Sequence, residues 1–138
     1  MSRTVAEVVD RDVVTAPVTA TVREVAELMR VRDVGDVVVL DEDERLAGIV
    51  TDRDLVTRVL AAGGSGGDPV GQVCSPDPVH VDPSVTVEDA ARLMAERAVR
   101  RLPVVDAGTV VGVVSLGDVA VAQDAGDVLG EISAAPST

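Results

Sequence analysis

Two aspartates, each three positions beyond a hydroxyl residue that ends an apolar run, are the groups in this chain best placed to do chemistry. They close the stretches Gly48-Ile49-Val50-Thr51-Asp52-Arg53-Asp54 and Gly112-Val113-Val114-Ser115-Leu116-Gly117-Asp118, so one pattern, Gly-apolar-apolar-hydroxyl-x-x-Asp, is written twice. In each copy a strand runs out of a glycine, meets the hydroxyl and turns into a helix. Thr51 and Ser115 can then act as helix N-caps whose N3 partners, Asp54 and Asp118, complete a capping box and complement the helix dipole. The same hydroxyls and helix N-termini can instead form an anion site, the carboxylates accepting bonds from a ligand's vicinal hydroxyls. One copy alone favours the cap, which is the commoner use.

The elements that position these motifs are themselves duplicated. Val22 to Met29 (VREVAELM) matches Val87 to Met94 (VEDAARLM), and Val37-Val38-Val39-Leu40-Asp41 matches Leu102-Pro103-Val104-Val105-Asp106 at the same offset. The motif glycines match one residue closer, so the second hairpin is one residue shorter. Gly63 to Pro69 is a linker by composition, which puts the boundary near residue 65 and gives repeats 1–65 and 66–138. Val13 to Val18 and Pro78 to Val81 read as extended or edge segments, being short, β-branched and bounded by Pro. Thr21-x-x-Glu24 and Thr86-x-x-Asp89 are N-cap signatures, followed by Val22, Val25, Ala26, Met29 and Val87, Ala90, Ala91, Met94 at helical spacing. A Val-rich run, a polar turn (Asp41 to Arg45; Asp106 to Thr109) and a second apolar run make a hairpin in each copy. Helices are expected over roughly Asp52 to Leu60 and Leu116 to Ala122. The expected fold is therefore α/β of the α+β type, two β-α-β-β-α repeats. A three-stranded half of about 60 residues buries too little surface to stand alone, so the halves are expected to pack sheet to sheet with pseudo-two-fold symmetry.

Composition narrows the function. The 138 residues are 46% hydrophobic and 26% charged, as in globular domains, and contain no Phe, Trp or Tyr. A planar ligand must be held by aliphatic side chains and backbone, since no aromatic platform exists. The net charge of −12 argues against non-specific nucleic-acid binding and against anionic membrane surfaces. No signal pattern appears, and no apolar run reaches the roughly 18 residues needed to span a bilayer, so a cytoplasmic protein is expected. Cys74, the single cysteine, has no His or second Cys paired with it in the pattern and reads as passive. His80, the single histidine, has no ligand partners at metal spacing. The glycine-rich linker is not a phosphate loop, because no Gly-Lys-Ser/Thr follows it. With no nucleophile–base pair or metal cluster, no enzyme is expected. Met29 and Met94 read as core, Asp41 to Glu44 as a solvated hairpin tip, and Val128, Leu129 and Ile132 as residues that can dock the tail.

Taken in order, VREVAELM…GDVVVLDEDERLAGIVTDRDL and VEDAARLM…RRLPVVDAGTVVGVVSLGDV resemble a tandem pair of cystathionine-β-synthase (CBS) domains, the Bateman module, over roughly residues 5 to 122. The resemblance includes the repeat, the helix caps, the RLPVVD strand and both motifs in register, and a stand-alone CBS domain-containing protein is expected. It implies a non-catalytic regulatory module that binds adenosine-containing molecules (AMP, ADP, ATP or S-adenosylmethionine) in two symmetry-related clefts, with no required cofactor. In such proteins the motif Asp bonds the ribose hydroxyls, the Ser or Thr helps hold a phosphate, and basic residues before the LPVV-type strand take the phosphates. Carried over, one cleft would use Ser115 and Asp118, with Val113 at its floor, Arg100 and Arg101 near the phosphates, and the lead-in segment Asp12 to Val14. The other would use Ile49, Thr51, Arg53 and Asp54, with Pro78, Val79 and His80 at the adenine edge.

Physical chemistry favours the same groups. A carboxylate can accept both ribose hydroxyls, and such charge-assisted bonds are stronger than neutral ones. Repetition of the motif now favours ligand sites, while the cap role can coexist. The two sites are not expected to be equal: the second repeat has Arg100-Arg101 where the first has Gly35-Asp36, and Arg53 stands where the second has Gly117. The alternative is a ligand-free dimerisation or protein-interaction module. A homodimer is expected in either case, because helix faces carry apolar residues that the repeat packing does not use.

Overall fold

Both long helices begin as the sequence predicts. In the computed structural model, which describes residues 3–123, α1 spans Val22–Arg32 and α3 spans Val87–Arg97. Thr21 Oγ1 accepts the Glu24 N–H at 3.1 Å and Glu24 returns a carboxylate to the Thr21 N–H at 3.0 Å, a full capping box. Thr86 accepts the Asp89 N–H at 3.1 Å, but the Asp89 carboxylate turns to Arg92 at 3.0 Å. Each helix ends on a left-handed residue, Asp33 or Ala98. The docking expected of Val128, Leu129 and Ile132 concerns residues outside those described.

The strands follow. β1 (Thr15–Pro17) runs parallel to β2 (Asp36–Leu40), β2 runs antiparallel to β3 (Leu46–Thr51), and β3 takes a fourth strand, β4 (Ser75–Pro76), on its far edge. In the second repeat β5 (Arg101–Asp106) and β6 (Thr109–Ser115) form the hairpin. There the first strand is reduced to a parallel bridge, Val81 to Val104, and the far edge to an antiparallel bridge, Asp10 to Val113. The expected β-α-β-β-α order is observed, but each sheet gains an edge pairing that three strands did not anticipate. The shorter second hairpin closes on Ala107 and Gly108, both at positive φ (51° and 86°), as a two-residue turn of the twist-matched kind requires.

The segment expected as a helix over Asp52 to Leu60 starts as α2 (Asp52–Asp54) and continues as a π-helix over Leu55–Leu60. The Thr57 hydroxyl donates to the Arg53 carbonyl at 2.9 Å, and farther on the Ala61 N–H reaches the Val56 carbonyl at 2.8 Å, the wider π spacing. Residues 116–123 are helical, α4.

Packing divides the chain differently from the repeats. One unit holds Asp12–Pro78 with Ala107–Val110; the other holds the described residues before Asp12, Val79–Asp106 and the described residues from Val111 on. The first is cored by Val25, Met29, Val37, Val39, Val50, Val70 and Cys74. The second is cored by Val5, Val87, Met94, Leu102, Val104, Val114 and Val119. Val5-Ala6-Glu7 and Val70-Gly71-Gln72 are equivalent 3-10 turns, and each lies in the unit built around the other repeat's helices. Met29 and Met94 are both buried in these cores. No helix among the described residues is long and apolar enough to cross a membrane.

Candidate functional site

The two motifs fold into the same structure. The Asp54 N–H donates to Thr51 Oγ1 at 3.0 Å and the Thr51 N–H donates to Asp54 Oδ2 at 2.9 Å. In the second copy the Asp118 N–H donates to Ser115 Oγ at 3.1 Å and the Ser115 N–H to Asp118 Oδ2 at 3.1 Å. Both are capping boxes, so the structural role weighed for these residues is present in full. Each box engages only Oδ2 of its aspartate. All four residues are half-buried, and the Asp54 side chain retains 18% of its surface.

The strands aim these boxes. Along β3 Gly48 and Val50 are buried while Ile49 and Thr51 are not, and along β6 Gly112 and Val114 are buried while Val113 and Ser115 are not. Period-two alternation therefore puts Ile49 with Thr51, and Val113 with Ser115, on the face away from the core. Ile49 pairs with Ser75, and Val113 exchanges backbone bonds with Asp10 at 2.9 and 3.0 Å. The motif glycines permit these pairings. A Cβ on Gly112 would overlap Val9 Cγ2 and stand 2.6 Å from the Asp10 carbonyl oxygen. The glycine that opens each motif thus serves close backbone approach.

The cations are distributed unequally. Arg100 and Arg101 are exposed at the strand end beside Ser115, where the Leu116 N–H donates to the Arg100 carbonyl at 2.7 Å. The equivalent bond in the first repeat, from the Asp52 N–H to the Gly35 carbonyl at 2.9 Å, brings no cation, and Asp36 is the cross-strand partner of Thr51. Arg53 is exposed on α2. A residue that sequence reasoning passed over, Arg58, has its Nε 3.6 Å from Asp54 Oδ1 and donates through Nη1 to the Val73 carbonyl at 3.1 Å. Its signal was the four-residue spacing from Asp54, the distance at which side chains on a helix meet.

The lead-in segments lie as follows. Val14 is buried and its carbonyl accepts the Val38 N–H at 3.0 Å, so that carbonyl belongs to the sheet. Asp12 pairs with Arg32 at 3.0 Å. Pro78 and Val79 are half-buried, and His80 is exposed. With Asp82, Asp89, Arg92, Leu93 and Glu96, His80 lines an open depression of about 500 Å3 over α3. Its carboxylates are largely engaged already: Asp82 accepts from Ser84 and Asp89 from Arg92. Cys74 is buried against Gly48, and burial pushes its thiol above the ordinary value of 9.0, toward the inert neutral form.

A family model described as CBS domain matches the chain twice, over residues 5–61 and 70–125. The CBS domain-containing protein YhcV of Bacillus subtilis is 43% identical over 117 residues, covering 82% of this chain and 83% of that protein. The crystal structure of CBSX2 in complex with AMP is similar with a TM-score of 0.75 and 32% identity, covering 88% of this chain and 96% of that one. A CBS domain protein of Pyrobaculum aerophilum complexed with AMP has a TM-score of 0.75 and 31% identity, covering 83% of this chain and 88% of that one.

Proposed function

We propose, since this chain belongs to the CBS domain family, that it is a non-catalytic sensor whose two motifs each bind an adenosine-containing ligand (AMP, ADP, ATP or S-adenosylmethionine) and report its presence to a partner. The observation that carries this reading is the duplicated box: in both copies a half-buried carboxylate is held rigidly by its own helix terminus through Oδ2 alone. A carboxylate fixed in this way is pre-organised to accept a ribose hydroxyl, and the charge strengthens the bond. The AMP complexes of the two similar structures support the ligand class. Arg100 and Arg101, at the strand end beside Ser115, suit the phosphate of that copy's ligand. Val14, Pro78, Val79 and His80 supply the adenine edges, Ile49 and Val113 the floors, and Thr51, Arg53 and Ser115 the phosphate side. The protein acts in the cytoplasm as a homodimer, and Val56 and Leu60, exposed one turn apart on the π-helix, offer apolar surface for the contact.

The test is calorimetry with AMP on the parent chain and on Asp118→Asn. At N3 of the box an Asn can still accept the cap N–H and loses only the charge that complements the helix terminus, a cost of about 1 kcal/mol or less. As a ribose acceptor the aspartate's replacement weakens binding at that motif by about tenfold or more, the margin of a charge-assisted bond. Unchanged affinity in both Asp118→Asn and Asp54→Asn assigns the aspartates to capping alone. What favours the second reading, a ligand-free interaction module, is that in both boxes hydroxyl and carboxylate are bonded to each other's backbone, as a purely structural cap requires. A thermal-shift series separates the two, since AMP at 100 times its dissociation constant raises stability by about 2.7 kcal/mol only if it binds.

A further inference from the structure

The two motif aspartates differ in what stands one helical turn beyond them. Four residues after Asp54 is Arg58, and four after Asp118 is Ala122, which is 4% exposed and carries no charge. Arg58 is held at two points: its Nε faces Asp54 Oδ1 at 3.6 Å, and its Nη1 donates to the Val73 carbonyl at 3.1 Å. With Oδ2 committed to the Thr51 N–H at 2.9 Å, both oxygens of Asp54 face resident donors. A hydroxyl gains its advantage from a carboxylate through the negative charge, and a guanidinium beside that charge offsets part of it.

On the reading of Asp54 and Asp118 as ribose acceptors, on which this rests, we infer that Arg58 is a resident competitor for Asp54 and sets the affinity of the first motif below that of the second. The anchor on Val73 matters, because a guanidinium tied to backbone cannot follow an incoming ligand without giving up that bond. A ligand's hydroxyls must displace Arg58 from Asp54 or share the carboxylate with it. Nothing at position 122 can do this to Asp118. The chain therefore fills its Ser115/Asp118 motif first and its Thr51/Asp54 motif only at higher ligand concentration, which gives one module two thresholds.

The experiment uses calorimetry with AMP in an Asp118→Asn background, where the second motif is weakened and the binding lost on adding Asp54→Asn reports the first motif. Arg58→Gln removes the cation and keeps an amide able to reach Val73; it tightens AMP binding roughly two- to fivefold, the range of a partly exposed ion pair. Arg58→Lys keeps the cation and the lower affinity. With 2′-deoxy-AMP, which lacks one of the hydroxyls, the gain from Arg58→Gln shrinks. Unchanged or weaker AMP binding in Arg58→Gln overturns the competitor role, the weaker case making Arg58 a ligand contact instead. The underlying reading fails separately: it falls if AMP binds no variant, or if adding Asp54→Asn to the Asp118→Asn background leaves AMP binding intact.

Discussion

Gly48 lies directly beneath Cys74, so close that a Cβ on the glycine would stand 2.6 Å from the cysteine Sγ and 2.6 Å from the Ser75 carbonyl oxygen. The first residue of the repeated motif is thus fixed by a strand partner from a remote part of the chain, and the aspartate at its other end by its own helix.

Replacing that glycine measures how tightly the pairing is closed. Gly48→Ala and Gly112→Ala each force backbone or a buried side chain to move and are expected to destabilise by about 1–3 kcal/mol. Gly67→Ala, which would meet only Ser65 Oγ at 3.6 Å, changes little and serves as the control. Urea midpoints read the difference, with m unchanged if the denatured state is unaffected.

Val5 and Val70 are both fully buried, each in the first turn of an equivalent 3-10 segment. Truncation of either to Ala removes buried methyl groups and leaves a small void, a loss of about 2 kcal/mol in each case. A much smaller loss for Val5, measured by denaturant unfolding, would mean that the N-terminal segment contributes little to the unit in which it packs.

Acid weakens the fold through specific carboxylates. The Thr21 backbone N–H, then the Thr21 side chain, hold Glu24 below its ordinary value of 4.5, and the Ser84 N–H and hydroxyl hold Asp82 below 3.8. A carboxylate whose pKa is depressed by folding stabilises above its unfolded value and loses that contribution as pH falls through the folded one. Stability should therefore be flat between about pH 5 and pH 7 and decline below the ordinary carboxylate values, and Glu24→Gln should flatten the upper part of that decline. Thermal melts between pH 7 and pH 3 supply the measurement.

Burial keeps the Cys74 thiol protonated beyond its ordinary 9.0. Alkylation of the native protein by iodoacetamide at pH 8 is expected to be far slower than in urea, by at least tenfold, because both exposure and thiolate fraction are low. Equal rates would place the sulfur at the surface.

The fold was legible where local signals and periodicity agree. Thr21 with Glu24 set the start of α1, the spacing of Val87, Ala90 and Met94 set the buried face of α3, and duplication set the order of elements in both halves. The cap role of Thr51, Ser115, Asp54 and Asp118 was legible in the same way, since a capping box lies within four consecutive residues. Illegible were contacts that depend on long-range pairing. Nothing within Val8-Val9-Asp10 says that Asp10 will bond Val113, or within Val73-Cys74-Ser75 that Ser75 will pair with Ile49. The π-helix over Leu55–Leu60 was also missed, because Val56, Thr57 and Val59 keep an ordinary helical pattern and the wider spacing shows only in the backbone bonds.

The placement of Val5 to Asp10 has a consequence for how the protein is made. Residues Asp12–Pro78 contain nearly all of one unit, lacking only the tip at Ala107–Val110, so that unit can begin to fold once residue 78 has left the ribosome. Thr4, Val5 and Asp10 are synthesised ahead of that unit, yet their partners Thr86, Val85 and Val113 follow it in the chain. Val5 and Ala6 thus wait for Val85 and Pro83, and Asp10 waits for Val113, so the Val-rich strip from Val5 to Val9 is completed only when the last strand arrives.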